Sequence, residues 1–245
     1  TFCAFRRDGD EADAYTLSRA ALHEKARDLV KIGGTQILLQ GGMNPALPLA
    51  FYEDMLRGLK EAFPQVHLHA FSPPEFTEFV ATLEIDGFPT TPPRRSGDLP
   101  PDVWQAKLEA VMRRLRAAGL DSIPGGGAEI LLEHVRRRIG STKANCRQWL
   151  DVMRTAHSVG LRTTSTIMFG HVEGYEHWAR HLLRLYRNDA TRLLHTVATP
   201  ATRTQHTSRH RQQCHQSFSH FQEHAQTPIV VRNQTPRAGL KSKQM

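Results

Sequence analysis

This sequence has few cysteines, no long apolar runs and few acidic residues near its end. Its 245 residues include only three cysteines, at positions 3, 146 and 214. Three scattered cysteines do not make a disulfide framework, so a reducing, cytoplasmic environment is expected. No stretch of about 20 apolar residues is present, which argues against a membrane span. The first residues also lack the basic-then-apolar pattern of a secretory signal.

The positive charge is concentrated near the end of the chain. The formal net charge is +8, which by itself favours a nucleic-acid partner. Residues 188–245 hold eight basic and two acidic residues, however, so residues 1–187 carry only +2. We therefore regard nucleic acid as an unlikely partner. A basic nucleic-acid-binding protein stays as the alternative from another class, and it predicts salt-dependent binding that is lost with residues 188–245.

A change of pattern near residue 187 predicts two regions, a body (1–187) and a tail (188–245). The tail is rich in Gln, Thr and Arg, contains six of the 14 histidines, and keeps no helical or strand period. Such a segment buries too little apolar surface to offset its ordering entropy, so we expect disorder. It is open to three interpretations: a basic RNA-binding tail, a metal-binding histidine tract or a shifted reading frame. The abrupt loss of pattern favours the last.

The body alternates between strand and helix patterns. Apolar stripes at helical spacing predict helices within residues 16–34, 47–64, 103–119, 148–160 and 173–187. Short apolar runs predict strands within residues 35–42, 65–72, 120–129 and 161–170. This alternation is typical of an α/β fold with a parallel sheet. We predict a partial TIM-like (β/α) barrel, incomplete at both ends.

One predicted strand, "QVHLHAFS", alternates in a way that gives it two different faces. Val66, Leu68 and Ala70 would face the outer helices. The residues between them and after them would face the barrel lumen, and these are His67, His69 and Phe71.

The strand ends carry the residues that suggest chemistry, because barrel active sites lie where strands end and loops begin. "PGGGAE" would bring backbone amides close to a ligand, with Glu129 accepting hydrogen bonds from ribose hydroxyls. Alternatively it is an ordinary turn, with Glu129 in the first turn of the next helix. His171 and Glu173 are either an acid–base pair or ordinary helix-start residues. Gly41 and Gly42 suit a tight turn or a ligand contact.

Taken in order, these segments resemble the radical S-adenosylmethionine enzymes of the futalosine pathway to menaquinone, most closely the cyclic dehypoxanthinyl futalosine synthases. The resemblance covers residues 1 to about 187. It rests on "FCAFRR", "TQILLQGGMNP", "LHAFSPPE", "AGLDSIPGGGAEIL", "WLDVMRTAHSVGLRTTSTIMFGHVE" and "HLLRL". The aminofutalosine synthases have a similar glycine loop and are the alternative. The related deazaflavin synthase subunits look more distant, because "PGGGAE" is not their usual form.

The resemblance implies two cofactors, a 4Fe-4S cluster and S-adenosyl-L-methionine. The family holds its cluster with CxxxCxxC, whose third cysteine matches Cys3, and three thiolates bind three of the irons. Phe2 matches an aromatic position near the adenine. By the same match, Gly41 and Gly42 contact the methionine amino group and Glu129 the ribose. The cofactor's reductive cleavage gives a 5′-deoxyadenosyl radical in this family.

The resemblance also implies a small-molecule nucleoside substrate and an electron donor such as flavodoxin or ferredoxin. In the family, the radical takes hydrogen from the ribose of dehypoxanthine futalosine, and the substrate radical then closes onto its aromatic ring. The match assigns no catalytic residue. It places four residues on the substrate side: Ser72, Glu75, Ser122 and His171.

The sequence departs from the family pattern at both ends. Two of the three cluster cysteines would precede Thr1, and Met43 stands where the family has histidine in "QGGHNP". Cys146, which we place in the middle of a helix, and Cys214 lack the spacing to replace them. Because one thiolate cannot hold the cluster, we expect the chain as written to be an inactive fragment.

Overall fold

Strands and helices alternate through the body, as the sequence predicts. The computed structural model describes residues 11–42, 44–92, 95–139 and 144–193 and a strand at Ile229–Val230. The strands are β1 (Gln36–Leu39), β2 (His67–Ala70), β3 (Ser122–Ile123), β4 (Arg162–Thr163) and β5 (Ile229–Val230). The helices are α1 (Arg19–Lys31), α2 (Leu49–Ala62), α3 (Pro73–Thr82), α4 (Pro101–Ala117), α5 (Glu133–Ile139), α6 (Cys146–Ser158) and α7 (Tyr175–Leu193).

The strands form one parallel sheet in the order β4-β3-β2-β1-β5. Adjacent strands β1 and β2 pair in register, with Ile37 opposite Leu68 and Leu39 opposite Ala70. The predicted α/β class with a parallel sheet is confirmed, and a partial barrel accounts for the arrangement. Strand β4 has only two residues, fewer than the apolar run at 161–170 predicts.

Helix ends are fixed by residues that the sequence shows plainly. Ser18 caps α1, and its hydroxyl accepts the amide of Ala21 at 3.2 Å. Gly33 ends that helix with a positive φ of 82°, a backbone conformation that suits glycine. At α6, Asn145 and Gln148 form a reciprocal capping box. These caps explain why α1 and α6 begin and end within a few residues of the predicted positions.

The main core lies between the sheet and the helices on its outer face. Strand residues Ile37, Leu68 and Ile123 pack there against buried side chains of the helices. Burying one such side chain contributes about 1.5–3 kcal/mol. The predicted stripe on α4 is confirmed, because all five of its residues are buried: Trp104, Leu108, Val111, Met112 and Leu115.

Phe71 does not face the lumen, so that prediction is wrong. Its φ is 61°, which turns the chain out of the extended conformation and ends the strand alternation. The ring instead packs edge-on against Tyr52, Phe76 and Phe79 in the core on the helix side. The alternation holds for the residues before it, since Val66, Leu68 and Ala70 are all in that core.

The predicted boundary near residue 187 falls within a helix. Helix α7 continues to Leu193, and the strand β5 pairs with β1 through Ile37 and Leu38. The rest of the tail, including Cys214, lies outside the described residues, so its disorder stays a prediction. No helix in the described ranges is both long and apolar enough to cross a membrane.

Candidate functional site

Four loops meet at the carboxyl edge of the sheet. They follow β1 (Gly41 and Gly42), β2 (Ser72), β3 (residues 124–129) and β4 (Thr164). The amide of Gly125 donates to the Thr164 hydroxyl at 3.0 Å, which joins the last two loops. A Cβ atom on Gly126 would lie 2.8 Å from the Gln40 amide nitrogen and 3.2 Å from Cβ of Ser72. The structure thus brings together the loops after β1, β2 and β3 that the sequence singles out, whereas the loop after β4 joins them through Thr164 and not through His171 or Glu173.

The glycine pair, Gly41 and Gly42, is exposed at this edge. Gly42 has a φ of 83°, in the left-handed region that glycine adopts readily. No described atom lies within 4 Å of a Cβ atom built on either residue. The pair therefore has backbone facing open space, and a ligand can approach it closely.

Ser72 and Glu75 form a capping box at the start of α3. The amide and hydroxyl of Ser72 donate to Glu75 Oε2 at 2.7 and 2.8 Å. Burial raises the pKa of Glu75 to about 7, although these hydrogen bonds act to lower it. Glu75 is 4% exposed, so a contact with substrate stays a prediction.

The glycine loop, residues 124–129, is packed against protein rather than open. A Cβ atom on Gly125 would lie 2.4 Å from the carbonyl oxygen of Thr164, and one on Gly127 would lie 2.5 Å from the Pro74 ring. Glycine is required there because neighbouring backbone and side chains leave no room. This explains the three glycines without a ligand, whereas Gly41 and Gly42 have no such explanation.

Glu129 ends the glycine loop in a strained conformation and sits beside a buried arginine. Its φ is 40°, and its carboxylate lies 3.8 Å from the Arg136 guanidinium. Arg136 also donates to the carbonyl oxygens of Gly127, Ala128 and Ala144. Helix α5 begins only at Glu133, so the alternative that places Glu129 in a first helical turn is wrong. Its contact with a ribose stays a prediction.

A polar cluster of His67, His69 and Ser122 lies on the lumen side of β2 and β3. The Ser122 hydroxyl is 2.6 Å from Nε2 of His67 and 2.6 Å from Nδ1 of His69. The second ring nitrogen of His69 lies 3.5 Å from the Thr164 hydroxyl. Burial and the neighbouring His67 lower the pKa of His69. The prediction that both histidines face away from the helices agrees with these contacts.

His171 lies in an exposed turn that a carboxylate organises. The Glu173 carboxylate accepts the backbone amides of Gly170, His171 and Val172 and the indole N–H of Trp178. Desolvation acts to raise the pKa of Glu173, but these hydrogen bonds outweigh it and lower the pKa to about 2. Glu173 is therefore ionised at neutral pH and suited to shaping the turn, not to donating a proton.

The described residues do not provide the ligands of an iron–sulfur cluster. Within the described ranges no three His, Cys, Asp or Glu side chains are grouped to hold a metal. Cys146 is the first residue of α6 rather than a mid-helix residue, because Asn145 caps the helix there. It is buried, which raises the pKa of its thiol to about 12. Phe2 and Cys3 lie outside the described residues, and their roles stay predictions.

Sequence reasoning missed two buried polar residues that hold the glycine loop, Arg136 and His181. His181 Nδ1 accepts the amide of Leu131 at 3.0 Å, so α7 is tied to the segment after the loop. Burial lowers the pKa of His181 to about 4. Arg136 is the first of three consecutive arginines, and His181 precedes two leucines that are exposed, so the local pattern does not single out either residue as buried.

We expect His181 to lower the free energy of unfolding as the pH drops from 6.5 towards 4, seen as a difference between the wild-type protein and H181Q, because the raised pKa of Glu75 acts in the opposite direction in both proteins. His181 binds a proton near pH 6.5 when unfolded but only near pH 4 when folded. Between these values the unfolded state binds more protons, so stability is lost as the pH falls. Urea unfolding of both proteins at several pH values measures this, and the stability of the wild type relative to H181Q should fall as the pH drops. Equal slopes in the two proteins would contradict the assignment to His181.

Comparison with known proteins identifies the family. Residues 1–185 match the radical SAM superfamily. Three relatives have similar identity. A 5-amino-6-(D-ribitylamino)uracil–L-tyrosine 4-hydroxyphenyl transferase from Nostoc sp. is 39% identical, covering 80% of this chain and 46% of the relative. A cyclic dehypoxanthine futalosine synthase from Halalkalibacterium halodurans is 37% identical, covering 75% and 44%. An FO synthase from Mycobacterium leprae is 39% identical, covering 74% and 18%.

The chain thus spans less than half the length of these relatives. Similar identity to proteins of three different names does not support ranking any of these types as the more distant one. What the relatives share is the superfamily whose match spans most of the chain. With its parallel sheet, its outer helices and this match, the chain belongs to the radical SAM superfamily.

Proposed function

We propose that this chain acts in a cytoplasmic radical S-adenosylmethionine cyclase that converts dehypoxanthine futalosine to cyclic dehypoxanthinyl futalosine in menaquinone biosynthesis. The part of this proposal that is already established is that the chain belongs to the radical SAM superfamily, whose members are enzymes. The similarity to a cyclic dehypoxanthine futalosine synthase supports the finer part. So do the "LLQGG", "SPPE" and "DSIPGGG" segments, which lie at the strand ends where barrel enzymes bind their ligands.

The observation that carries the proposal is that the backbone of Gly41 and Gly42 is exposed at the carboxyl edge of the sheet. Gly41 and Gly42 leave space on the side where a Cβ atom would stand, which fits close contact with the methionine part of S-adenosylmethionine. Glu129 lies at the same edge, where its carboxylate suits ribose hydroxyls. Arg136 holds that carboxylate at 3.8 Å and fixes the loop around it.

The iron–sulfur cluster depends on Cys3, since Cys146 is buried at the start of α6 and does not fit as a ligand. Cluster and S-adenosylmethionine, when bound, would supply the radical chemistry of the superfamily. The reaction would take its electron from a donor such as flavodoxin or ferredoxin. We derive no step through the cluster, because its ligands lie outside the described residues.

The polar cluster supports a nucleoside on the lumen side. Ser122 and the two histidines bring hydroxyl and imidazole groups together on β2 and β3. Such groups can pair with sugar hydroxyls and ring nitrogens. Ser72 and Glu75 follow β2 in the chain and His171 follows β4, and their contact with the substrate is part of the proposal.

The test is an anaerobic assay of the complete gene product that carries this chain. After iron–sulfur reconstitution, the protein is given S-adenosylmethionine, a reductant and dehypoxanthine futalosine. We expect 5′-deoxyadenosine and a cyclised product two hydrogen atoms lighter than the substrate, identified by mass spectrometry. Release of 5′-deoxyadenosine only with an aminofutalosine synthase substrate would move the assignment to that enzyme.

A second candidate is the reaction that several relatives carry in their names. Hydroxyphenyl transferases from Nostoc sp. and Nostoc punctiforme are 39% and 41% identical to this chain. The same preparation is therefore given 5-amino-6-(D-ribitylamino)uracil and L-tyrosine. Transfer of a hydroxyphenyl group to the uracil would assign the chain to that reaction and overturn the cyclase proposal.

A further inference from the structure

We propose that His181 and Arg184 of α7 are positioning residues that hold Glu129 in place for the ribose of S-adenosylmethionine. They do so by bonding both backbone polar groups of Leu131, two residues after Glu129. The inference rests on the proposed function only for what Glu129 binds. The contacts themselves belong to the fold and can be tested without cofactor, cluster or substrate.

Glu129 has a backbone conformation that needs support from outside its own loop. Its φ is 40°, in the left-handed region that residues with a side chain rarely adopt. Such a strained conformation persists only where the surrounding structure fixes it. Strand β3 ends at Ile123 and α5 begins only at Glu133, so no helix or strand contains Glu129. The support must therefore come from other elements.

The two peptide groups on either side of the Glu129 Cα atom are each held by a hydrogen bond from another element. Arg136 of α5 donates to the carbonyl oxygen of Ala128 at 2.6 Å. The amide of Met168, in the loop after β4, donates to the carbonyl oxygen of Glu129 at 3.1 Å. Because a peptide group is planar, fixing these two groups fixes both backbone dihedral angles of Glu129.

Helix α7 holds the next two peptide groups, on either side of the Leu131 Cα atom. The Leu131 amide donates to Nδ1 of His181 at 3.0 Å, and the Arg184 guanidinium donates to the Leu131 carbonyl oxygen. His181 and Arg184 are three residues apart, so they lie on the same face of the helix. Four consecutive peptide groups are thus held by other elements. Losing the last two contacts should let the Glu129 peptide move.

A carboxylate fixed in this way suits the two neighbouring hydroxyls of a ribose. The Glu129 side chain is 11% exposed and lies 3.8 Å from the Arg136 guanidinium. Hydroxyl groups donate hydrogen bonds that a carboxylate accepts, and bonds to a charged acceptor are the strong ones. They also depend steeply on distance and angle. The preference for a ribose over a sugar ring without these hydroxyls should therefore depend on α7.

The first experiment compares two ligands that differ only in these hydroxyls, S-adenosyl-L-homocysteine and its 2′,3′-dideoxy analogue. Their dissociation constants are measured by equilibrium dialysis with the complete gene product after iron–sulfur reconstitution. Because both constants come from one preparation, their ratio does not depend on the folded fraction. We expect the wild type to prefer the ribose ligand about tenfold or more. H181L should lower this preference about threefold or more, and H181N should restore it by keeping an acceptor oxygen.

R184M removes the other contact of α7 and should lower the ribose preference as well. R180M is the matched control, because Arg180 is exposed one turn earlier on the same helix. In an E129Q background, H181L should cause no further loss, since the charged acceptor that it positions is already absent. Arg184 is itself exposed, so R184M keeps the test available if H181L does not fold. Wild-type preference in H181L, or equal effects of R184M and R180M, would overturn the inference.

The second experiment measures amide hydrogen exchange by NMR in the 245-residue chain and needs no ligand. The Met168 amide reports on the position of the Glu129 carbonyl oxygen, to which it donates. In H181L we expect protection of the Leu131 and Met168 amides to fall about tenfold or more, while amides in the middle of α4 keep theirs. Wild-type protection of Met168 in H181L would contradict the inference.

The two experiments separate this inference from the proposed function. A wild-type protein that binds neither ligand, or binds both equally well, would count against the proposed contact of Glu129 with the cofactor's ribose. Met168 protection that is lost in H181L would still support the positioning of Glu129 by α7, and retained protection would overturn it.

Discussion

Replacing Gly125 with alanine should lower the free energy of unfolding by about 3 kcal/mol, the upper end of the range for overpacked sites. The new methyl group would lie 2.4 Å from the Thr164 carbonyl oxygen and 2.5 Å from the Ser165 Cα atom. Both are backbone atoms, so no side-chain rotation can relieve the clash. The loop after β4 must move, and the hydrogen bond from Gly125 to the Thr164 hydroxyl is lost with it.

The matched control for this substitution is G41A. It makes the same change in another loop at the same edge, but no described atom lies within 4 Å of the added methyl group. Denaturant unfolding should show a change of no more than about 0.5 kcal/mol, as is usual for unconstrained surface positions. Equal destabilisation by G125A and G41A would mean that the glycine loop is not packed as the structure has it.

Replacing Arg136 with methionine should cost about 3–5 kcal/mol, the range for breaking a buried charged contact. The guanidinium is 5% exposed and donates to the carbonyl oxygens of Gly127 and Ala128 within the glycine loop and to that of Ala144 before α6. Methionine fills a similar volume but leaves these oxygens without that donor, and it removes the cation next to Glu129.

Two further variants separate loss of the contacts from loss of charge. R137M removes a charge from the next residue of the same helix, which is exposed, and should change stability by no more than about 0.5 kcal/mol. R136K keeps the charge but should still destabilise, because one ammonium group lacks the planar fork of donors that reaches several carbonyls. Thermal or urea unfolding measures all three, and equal effects of R136M and R137M would refute the role of Arg136.

The helices and strands could be predicted from the sequence because their signals are local. The stripe on α4 and the alternation from Val66 to Ala70 reflect periods that each element must satisfy to bury one face. Phe71 breaks the rule because its positive φ depends on how the chain enters α3. A single residue in that region of backbone space leaves no mark on a hydrophobic pattern.

The site was harder to predict, because its contacts join distant parts of the chain. Arg136, Arg137 and Arg138 are consecutive and identical in the sequence, yet only the first is buried, beneath a loop that begins 12 residues earlier. The "PGGGAE" segment suggested ligand binding, and it took the position of Pro74 and Thr164 to show that packing explains its glycines. The reaction could not be predicted from shared residues alone, because relatives with three different names have similar identity to this chain.

The geometry around Ser122 links the tautomers of His67 and His69, which lie two residues apart on β2. A serine hydroxyl has a single hydrogen, so it can donate to His67 Nε2 or to His69 Nδ1 but not to both. The other ring must then donate to the serine oxygen. Two neutral rings therefore both carry their hydrogen on Nε2 or both carry it on Nδ1. A tautomer change at His67, whose side chain is 42% exposed, is necessarily matched at His69, which is 7% exposed.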